Sequence, residues 1–199
     1  GRGRLVIYGA NSVVTPETWE WDGFSWTRRS PATSPPRLYG CAMAYDPLRG
    51  RTLLFGGDDN NGPRNETWEW DGTTWTLLSP ATSPGARRYH GMAYDASRRR
   101  IVVFGGYDSS TRAILNDTWE WDGTTWTQAT PAVSPSPRIA TLAYDAARQQ
   151  TVLFSETQTA ETWTWDGTTW TQQSPAASPP DRAGHGLAYD PIRQRVVLF

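Results

Sequence analysis

The sequence predicts an all-β fold built from one repeated unit, on two observations: a turn-rich, aromatic composition and a fixed sequence period. The 199 residues include 18 Gly and 15 Pro, which break long helices and are typical of a chain with many turns. They also include 12 Trp, 8 Tyr and 5 Phe, although only 37% of the residues are apolar. Because each buried aromatic ring removes roughly 150–250 Å² from water, this composition indicates a folded, aromatic core.

The period is the stronger observation, because a fixed repeat decides the architecture. The motif Thr-Trp-Glu-Trp-Asp-Gly, with Thr in place of Glu in its last copy, begins at Thr18, Thr67, Thr118 and Thr162. A second motif, Ala-Tyr-Asp, ends at Asp46, Asp95, Asp145 and Asp190. Ser-, Thr- and Pro-rich linkers between the two motifs occupy residues 30–35, 79–84, 130–135 and 174–179. The chain therefore holds four copies of a unit of 44 to 51 residues.

Each unit contains four predicted β-strands, as residues 89–127 illustrate. Residues 89–95, which end in Ala-Tyr-Asp, form the first strand. Residues 100–106 form the second, and their unbroken Ile-Val-Val-Phe indicates a strand buried on both faces. The third and fourth strands are the arms of Trp-Glu-Trp-Asp-Gly-Thr-Thr-Trp-Thr. A lone sheet of four short strands cannot bury its Trp face, so neighbouring sheets must cover it, and radial stacking makes a β-propeller.

The Asp-Gly pairs predict the turn between the third and fourth strands, since both residues tolerate positive φ in a tight hairpin. If Asp71 and Gly72 form a two-residue loop, Trp70 lies opposite Thr73 and Trp68 lies opposite Trp75. The three Trp of each repeat then share one face of the hairpin, where aromatic cross-strand pairs stabilise the sheet.

The sequence Arg-Ile-Val-Val-Phe-Gly-Gly at 100–106, followed by Asn-Asp-Thr-Trp-Glu-Trp-Asp-Gly-Thr-Thr-Trp-Thr at 116–127, resembles a kelch repeat. In that family a Gly-Gly doublet closes the second strand and a Trp follows in the fourth, and the period of about 50 residues agrees. The doublet is intact at Gly56-Gly57 and Gly105-Gly106, and it is replaced by Gly9-Ala10 and Ser155-Glu156.

The resemblance implies one kelch-type propeller segment over residues 1–199, with four-stranded blades. The approximate blades are 1–30 (partial), 31–78, 79–129, 130–173 and 174–199 (partial). For function, the resemblance implies a protein-binding module, a glycan binder or, in some members, an enzyme.

The two ends of the sequence hold the same part of the repeat, because residues 4–8 align with residues 195–199. We therefore expect an open arc, or an arc completed by residues outside this sequence, rather than a self-closed ring of four blades. Exposed strand edges would then be available for association with another copy or with the rest of a longer chain. Pairing of residues 185–190 or 195–199 with residues 4–8 would contradict this expectation.

Composition argues against several classes of function. The formal net charge is −1 and the sequence has no basic stripe, so no nucleic-acid partner is expected. No stretch reaches the roughly 18 apolar residues of a membrane helix, so we expect no membrane insertion. All 19 basic residues are Arg, which excludes lysine chemistry, and the single Cys41 excludes an internal disulfide. We expect no cofactor.

One column of the repeat could hold a metal ion. The residues five positions before each repeated Asp are Cys41, His90, Ala140 and His185. A Cys/His/His set around a propeller axis would suit Zn²⁺ or Cu, and this is the weaker alternative. Side-chain alternation instead places the histidines on the face of the large packed residues.

Several arginines precede the first strands and are expected to anchor the start of each blade: Arg37, Arg87, Arg88, Arg138 and Arg182.

The loops between the second and third strands vary most, with nine, eleven, thirteen and seven residues at 9–17, 56–66, 105–117 and 155–161. Variable loops on a rigid scaffold are the usual place for recognition. The candidate binding residues in these loops are Asp58, Asp59, Asn60, Asn61, Arg64, Tyr107, Asp108 and Arg112. The acidic residues 58–61 form either a weak Ca²⁺ site or, as the preferred interpretation, a solvated turn. The loop that contains Tyr107, Asp108 and Arg112 either forms an interaction loop or packs its apolar residues Ile114 and Leu115 back on its own blade.

The functional prediction is a non-enzymatic binding or structural scaffold that recognises a protein or surface ligand through these loops. Its setting is expected to be extracellular or at the cell surface, from resemblance to Trp-rich bacterial kelch arrays. The alternative is a glycan-binding or glycan-processing propeller of the lectin, sialidase or galactose-oxidase type. The exposure of Trp discriminates between the two, because two or more exposed Trp on one rim could stack on sugars.

Overall fold

The computed structural model describes residues 3–9, 15–59, 61–155, 160–180, 182 and 184–199. These residues form β-strands and turns, and the predicted all-β class is confirmed. The strands are β1 (Leu5–Gly9), β2 (Glu17–Trp21), β3 (Trp26–Arg29), β4 (Ala42–Asp46), β5 (Arg51–Phe55), β6 (Thr67–Trp70), β7 (Trp75–Leu78), β8 (Gly91–Asp95), β9 (Arg100–Asp108), β10 (Ala113–Trp121), β11 (Trp126–Ala129), β12 (Ala140–Asp145), β13 (Gln150–Ser155), β14 (Thr162–Trp165), β15 (Trp170–Gln173), β16 (Leu187–Asp190) and β17 (Arg195–Leu198). The described part of the chain contains no helix capable of spanning a lipid bilayer.

The strands form five antiparallel sheets in chain order. Sheet 1 is β1–β3, sheet 2 is β4–β7, sheet 3 is β8–β11, sheet 4 is β12–β15 and sheet 5 is β16–β17. In sheets 2 to 4 the first strand of the repeat is at one edge and the fourth is at the other. The first strands of successive sheets are neighbours, because β4 contacts β8, β8 contacts β12 and β12 contacts β16. The first strands therefore form the inner side of the stack, as in a propeller.

Among the described strands, sheets 1 and 5 do not pair with each other. The strand β1 pairs with β2, and β17 pairs with β16. The described residues thus form an open segment of a propeller, as expected from the sequence. A groove of about 1020 Å³ lies between sheets 1 and 2, lined by Leu5 and Glu20 on one side and by Met43 and Trp70 on the other.

The second strand of each complete sheet is buried on both faces, as its apolar run predicts. In β9, Ile101 and the three residues that follow it are at most 1% exposed. The first glycine after the apolar run allows close approach of the backbone that leads into the next sheet. Gly56 and Gly105 have φ of 65° and 64°, and a Cβ on them would lie 2.6 Å and 2.5 Å from the carbonyl oxygens of Arg87 and Arg138. Ala10 and Glu156, which replace the second glycine in two repeats, lie outside the described residues.

The turn between the third and fourth strands differs from the two-residue loop predicted. In sheet 2 four residues join β6 to β7, and Trp70 lies opposite Trp75. The Asp71 carboxylate causes the longer turn, because its Oδ1 accepts hydrogen bonds from the backbone N–H groups of Thr73 at 2.7 Å and Thr74 at 2.9 Å. The Trp side chains still share one face, since the rings of Trp70 and Trp75 are 5.5 Å apart.

Hydrogen bonds from Trp side chains join sheets 2, 3 and 4 each to the preceding sheet. The strand Thr-Trp-Glu-Trp alternates, so Thr and Glu lie on one face and the two Trp on the other. Trp75 Nε1 donates to Thr18 Oγ1 at 2.8 Å, and Trp70 Nε1 donates to Glu20 Oε1 at 3.0 Å. The same bonds recur from Trp126 to Thr67, from Trp170 to Thr118 and from Trp165 to Glu120, each at 2.9 Å. The repeated motif therefore forms a strand of its own sheet and also supplies the hydrogen bonds between neighbouring sheets.

Removing one acceptor of this contact tests its contribution. Thr67→Val keeps the branched shape but leaves the buried Trp126 Nε1 without its acceptor. We expect the free energy of unfolding to fall by about 1–3 kcal/mol in a urea titration, the cost of a buried unsatisfied donor. The control is Thr76→Val on the outer strand β7 of the same sheet, where Thr76 is exposed, and we expect a change within about 0.5 kcal/mol. Equal losses in the two variants would contradict the role of the bond.

Candidate functional site

The loops after the second strands of sheets 2 and 3 are tied to the segments that lead into the first strands. Tyr39 and Asp58 exchange two backbone hydrogen bonds, each 3.0 Å long. Arg88 and Tyr107 exchange two more, of 3.0 Å and 2.8 Å. The two pairs are equivalent, because Tyr39 and Arg88 hold one position of the repeat and Asp58 and Tyr107 hold another. The backbone pairing therefore brings two variable loops together at the junction of sheets 2 and 3.

The longest variable loop is a β-hairpin. The strands β9 and β10 extend beyond the other sheets, so that Asp108 pairs with Ala113. The Asp108 carboxylate accepts hydrogen bonds from the side chains and backbone of Ser110 and Thr111, and these bonds lower the pKa of Asp108. Ile114 on this hairpin is 45% exposed, so it does not fold back on its own blade. The variable loop is thus an ordered projection.

The centre of the junction is a group of residues that we term the Arg88 cluster. It consists of Tyr39, Asp58, Arg88, Tyr89, Tyr107 and Ser109. The Arg88 Cζ atom lies 5.1 Å from the ring centroid of Tyr39, 5.2 Å from that of Tyr89 and 5.3 Å from that of Tyr107. At this distance each ring attracts the guanidinium through its quadrupole. One cation therefore organises three aromatic rings from three segments of the chain.

Polar contacts fix the same group of residues. Arg88 Nη1 donates to Tyr39 Oη at 2.7 Å and lies 3.5 Å from Asp58 Oδ2. Ser109 Oγ, at the tip of the neighbouring hairpin, donates to Asp58 Oδ2 at 3.0 Å. Burial raises the pKa of Tyr39, and its hydrogen bond to Asp58 adds to the rise. Because Asp58 is only 3% exposed, the preferred interpretation of this stretch as a solvated turn is wrong at Asp58.

The remaining candidates of the acidic loop stabilise the loop itself. Asp59 forms an ion pair with Arg64 and accepts a hydrogen bond from the Asn61 backbone N–H at 3.0 Å. The hydrogen bond from Arg64 holds the pKa of Asp59 below its usual value. Asn60 lies outside the described residues. The carboxylates of Asp58 and Asp59 are thus both engaged by arginine, an arrangement that does not favour a Ca²⁺ site.

Tyr89 has a strained backbone and a half-exposed side chain. Its φ is 55°, a left-handed conformation that is costly for a residue with a Cβ. The aligned residue of the last repeat is Gly184, whose φ is 69°. The Tyr89 ring lies against Gly40, yet 45% of the residue is exposed. Strained residues held by their surroundings cluster at functional sites, and Tyr89 is therefore the strongest candidate in the cluster.

Tyr89→Gly should be tolerated by the fold. The substitution relieves the left-handed strain but removes the ring's contacts and adds backbone freedom in the unfolded chain, so we expect a change within about 1 kcal/mol. Urea unfolding measures it. Tyr94→Gly is the comparison, because Tyr94 occupies β8 in extended conformation and we expect a loss of about 2 kcal/mol or more there. An equally large loss for Tyr89→Gly would contradict the strain argument.

The residues of the possible metal site are packed separately on successive inner segments. His90 is 5% exposed and its ring lies 5.4 Å from that of Phe55, whereas His185 packs on Phe154 at 5.2 Å. Burial raises the pKa of the Cys41 thiol to about 11. Among the described residues, no three His, Cys, Asp or Glu side chains come together to hold a metal ion. The structure gives the metal alternative no support.

His90 makes stability depend on pH. Burial, together with the nearby Arg87 charge, lowers the pKa of His90 from 6.5 to about 3, although Asp117 opposes this. A depressed histidine pKa means that the folded state excludes a proton, so stability is intact above pH 6.5 and falls as the pH drops toward 3. Between pH 7 and pH 5 the free energy of unfolding of the wild type should fall by about 2 kcal/mol more than that of His90→Ala. Alanine is the substitute because Ala140 occupies the aligned position of the next repeat. Identical losses measured by urea unfolding would contradict this.

The predicted anchoring role is confirmed for two arginines and wrong for Arg88. The Arg87 side chain is 1% exposed and binds both carboxylate oxygens of Asp117, each at 2.7 Å. Arg138 forms the equivalent ion pair with Glu161 at 2.8 Å. Arg88, one position after Arg87, points to the tyrosines instead. Sequence reasoning assigned both residues of the Arg-Arg pair to the same task because the repeat period cannot separate them.

Trp exposure does not favour sugar stacking. Trp26, at 44%, is the one exposed Trp of the twelve, and its sheet is not covered by another described sheet on that face.

The residues of the Arg88 cluster that the sequence analysis does not identify are Tyr39, Tyr89 and Ser109, and it assigns Arg88 a different role. A signal was present, because Arg-Arg-Tyr-His-Gly at 87–91 aligns with Arg-Ala-Gly-His-Gly at 182–186 and differs at two positions only.

Comparison with protein families gives one match of nearly full length. Residues 8–199 match the family model described as the KLHDC2/KLHL20/DRC7 Kelch-repeats domain. A comparison with curated proteins gave no match.

Proposed function

The chain belongs to the kelch-repeat family, and on this premise we propose that it is a non-catalytic scaffold that binds a protein partner at the Arg88 cluster. Kelch-repeat domains are in general protein-interaction modules. The observation that carries the site is Tyr89, a half-exposed aromatic residue held in a conformation for which the aligned repeat uses Gly184. The fold does not need a side chain there, so a function for it is the simplest explanation.

The residue types of the cluster support protein binding. Tyr and Arg are enriched among the side chains that dominate interface energies, and Tyr offers a large contact area for the loss of few rotamers. Arg88 and the backbone pairings hold the rings of Tyr39 and Tyr89 before any partner arrives. A surface that is ordered in advance loses less conformational entropy on binding, which raises affinity.

Selection from a phage-displayed library of random 16-residue peptides tests the proposed function. The wild-type chain is the bait, and each selected peptide is then measured against two double variants. Arg88→Ala with Tyr89→Gly copies the residues of the last repeat into the cluster. Ile192→Gly with Arg193→Ala is the matched control, because it also removes one arginine and one large apolar side chain at the opposite end of the sheets.

We expect peptides whose affinity falls at least tenfold for Arg88→Ala with Tyr89→Gly and stays unchanged for the control. Peptides that bind both double variants as well as the wild type would show that the cluster is not the site. Failure to select any peptide would contradict a peptide-binding function. Circular dichroism of each variant verifies that the all-β fold is retained.

The cellular location of the protein is a separate proposal. We propose an extracellular or cell-surface location, as the resemblance to Trp-rich bacterial kelch arrays suggests. Surface labelling of intact cells with a membrane-impermeant reagent would test it, provided that the reagent does not depend on lysine, which the sequence lacks.

A further inference from the structure

We infer that the Arg88 cluster takes an extended, proline-rich segment of its partner, an inference that rests on the proposed function. Proline-rich segments adopt the polyproline II conformation and dock in grooves lined by aromatic rings, where their carbonyl groups accept hydrogen bonds. The cluster presents three Tyr rings around Arg88, and two of them, Tyr39 and Tyr89, are 36% and 45% exposed. Aromatic walls of this kind suit the flat faces of proline rings.

The charges of the cluster favour an uncharged ligand. Its one cation, Arg88, and its one carboxylate, Asp58, lie 3.5 Å apart and neutralise each other. In the adjoining loop, Arg64 and Asp59 form a second ion pair. A charged peptide would have to separate one of these pairs, and Asp58 is nearly inaccessible to it. The proline side chain is uncharged, so it can bind without separating either ion pair.

The hydrogen-bonding groups that remain also favour proline. The Asp58 carboxylate already accepts a hydrogen bond from Ser109 and faces Arg88, and Tyr39 Oη accepts one from Arg88. The hydroxyl groups of Tyr89 and Tyr107 have no hydrogen-bond partner among the described residues. The cluster therefore has donors available while its carboxylate is engaged. Proline-rich segments bring carbonyl acceptors and lack N–H donors at each proline.

The same chemistry discriminates against a glycan. Sugar hydroxyls act as donors as well as acceptors, so a glycan site needs acceptors that are free to receive them. The carboxylate nearest to the exposed rings is Asp58, which is engaged in the contacts described above. The three rings also converge on one guanidinium, so they do not form a flat platform for a sugar ring.

The chain contains an internal example of tyrosine binding to prolines. Tyr8 is 7% exposed, and its hydroxyl lies 2.8 Å from the carbonyl oxygen of Pro35 and 2.7 Å from that of Pro36. Its ring packs edge-on against Trp75 at 5.4 Å. Here a Tyr ring beside another aromatic ring receives a Pro-Pro segment through its carbonyl groups. The Arg88 cluster offers the same elements on the surface.

An array of decapeptides tests the inference on the intact chain. Each peptide carries two Pro-Pro pairs in a different frame on a Gly, Ser, Ala and Thr background, and each has a matched copy with every Pro replaced by Ala. Fluorescence anisotropy gives the affinity of each peptide for the wild type, for Arg88→Ala with Tyr89→Gly, and for the control Ile192→Gly with Arg193→Ala. A glycan array is probed with the same three proteins.

We expect at least one proline frame to bind ten times or more tightly than its alanine copy. That affinity should fall at least tenfold for Arg88→Ala with Tyr89→Gly and should hold for the control. Equal binding of proline and alanine copies, or no binding in any frame, overturns the proline inference. If the randomly selected peptides still depend on Arg88 and Tyr89, the proposed function stands without it. Cluster-dependent glycan binding in place of peptide binding overturns both.

Discussion

Trp126→Ala is expected to lower the free energy of unfolding by about 3–5 kcal/mol, the usual cost of removing a large buried ring. Trp126 is 1% exposed, its ring lies 5.1 Å from that of Phe55 in the preceding sheet, and its indole N–H donates to Thr67. The substitution therefore leaves a cavity between sheets 2 and 3 and frees a buried acceptor. Urea or thermal unfolding followed by circular dichroism measures the loss.

Trp26→Ala is the matched control, because Trp26 occupies the same repeat position in sheet 1. Its ring packs on Trp21 at 5.5 Å, but 44% of the residue is exposed. We expect a loss of about 1 kcal/mol or less for this variant. If both substitutions cost the same, the stability comes from the hairpin alone, and the contact between sheets contributes nothing.

Arg87→Met is the second substitution with a large expected effect, also about 3–5 kcal/mol. It leaves the partly buried Asp117 carboxylate without the two bonds that Arg87 supplies, and it removes the Arg87 hydrogen bonds to the carbonyls of Gly85 and Gly105 at 2.9 Å and 3.0 Å. Burial raises the pKa of Asp117, but the bonds and charge of Arg87 outweigh it and the pKa is lowered. In Arg87→Met this pKa should rise.

Two further variants separate the buried pair from an ordinary ion pair. Adding Asp117→Leu to Arg87→Met removes the stranded carboxylate, so the double variant should recover part of the loss. Arg28→Met breaks the exposed pair with Glu17, in which the Arg28 side chain is 54% exposed, and should cost at most about 1 kcal/mol. A double variant less stable than Arg87→Met would show that Asp117 is satisfied without arginine.

The repeat made most of the fold predictable. Its period gave the number of complete sheets, and the apolar runs such as Ile101–Phe104 gave the strands buried on both faces. The turn of Asp71 was predicted with the wrong length, because the two-residue hairpin rule considers backbone angles and not the side-chain acceptor. The carboxylate binds the N–H groups of Thr73 and Thr74 and thereby adds two residues to the loop.

The Arg88 cluster was predicted in part. Tyr107 and Asp58 were chosen because they lie in variable loops, and the structure places both around Arg88. Tyr39 and Tyr89 lie just before β4 and β8, outside the variable loops, so loop variability does not indicate them. Their meeting depends on the backbone pairing of segments 19 residues apart in each case, Tyr39 with Asp58 and Arg88 with Tyr107. Such pairing is a tertiary property that composition and period do not encode.

The Trp bonds between sheets have a direction, and this makes the repeats interchangeable. Sheets 2 to 4 donate from their Trp faces, and sheets 1 to 3 accept on their Thr and Glu faces. Any repeat that presents Thr18 and Glu20 equivalents can therefore precede any repeat that presents Trp75 and Trp70 equivalents. Duplication or deletion of a whole unit, with joints in the proline-rich linkers, restores the same contact on both sides of the joint. The chain can therefore grow or shrink by recombination in steps of one sheet, while the Arg88 cluster stays confined to the one junction whose residues differ.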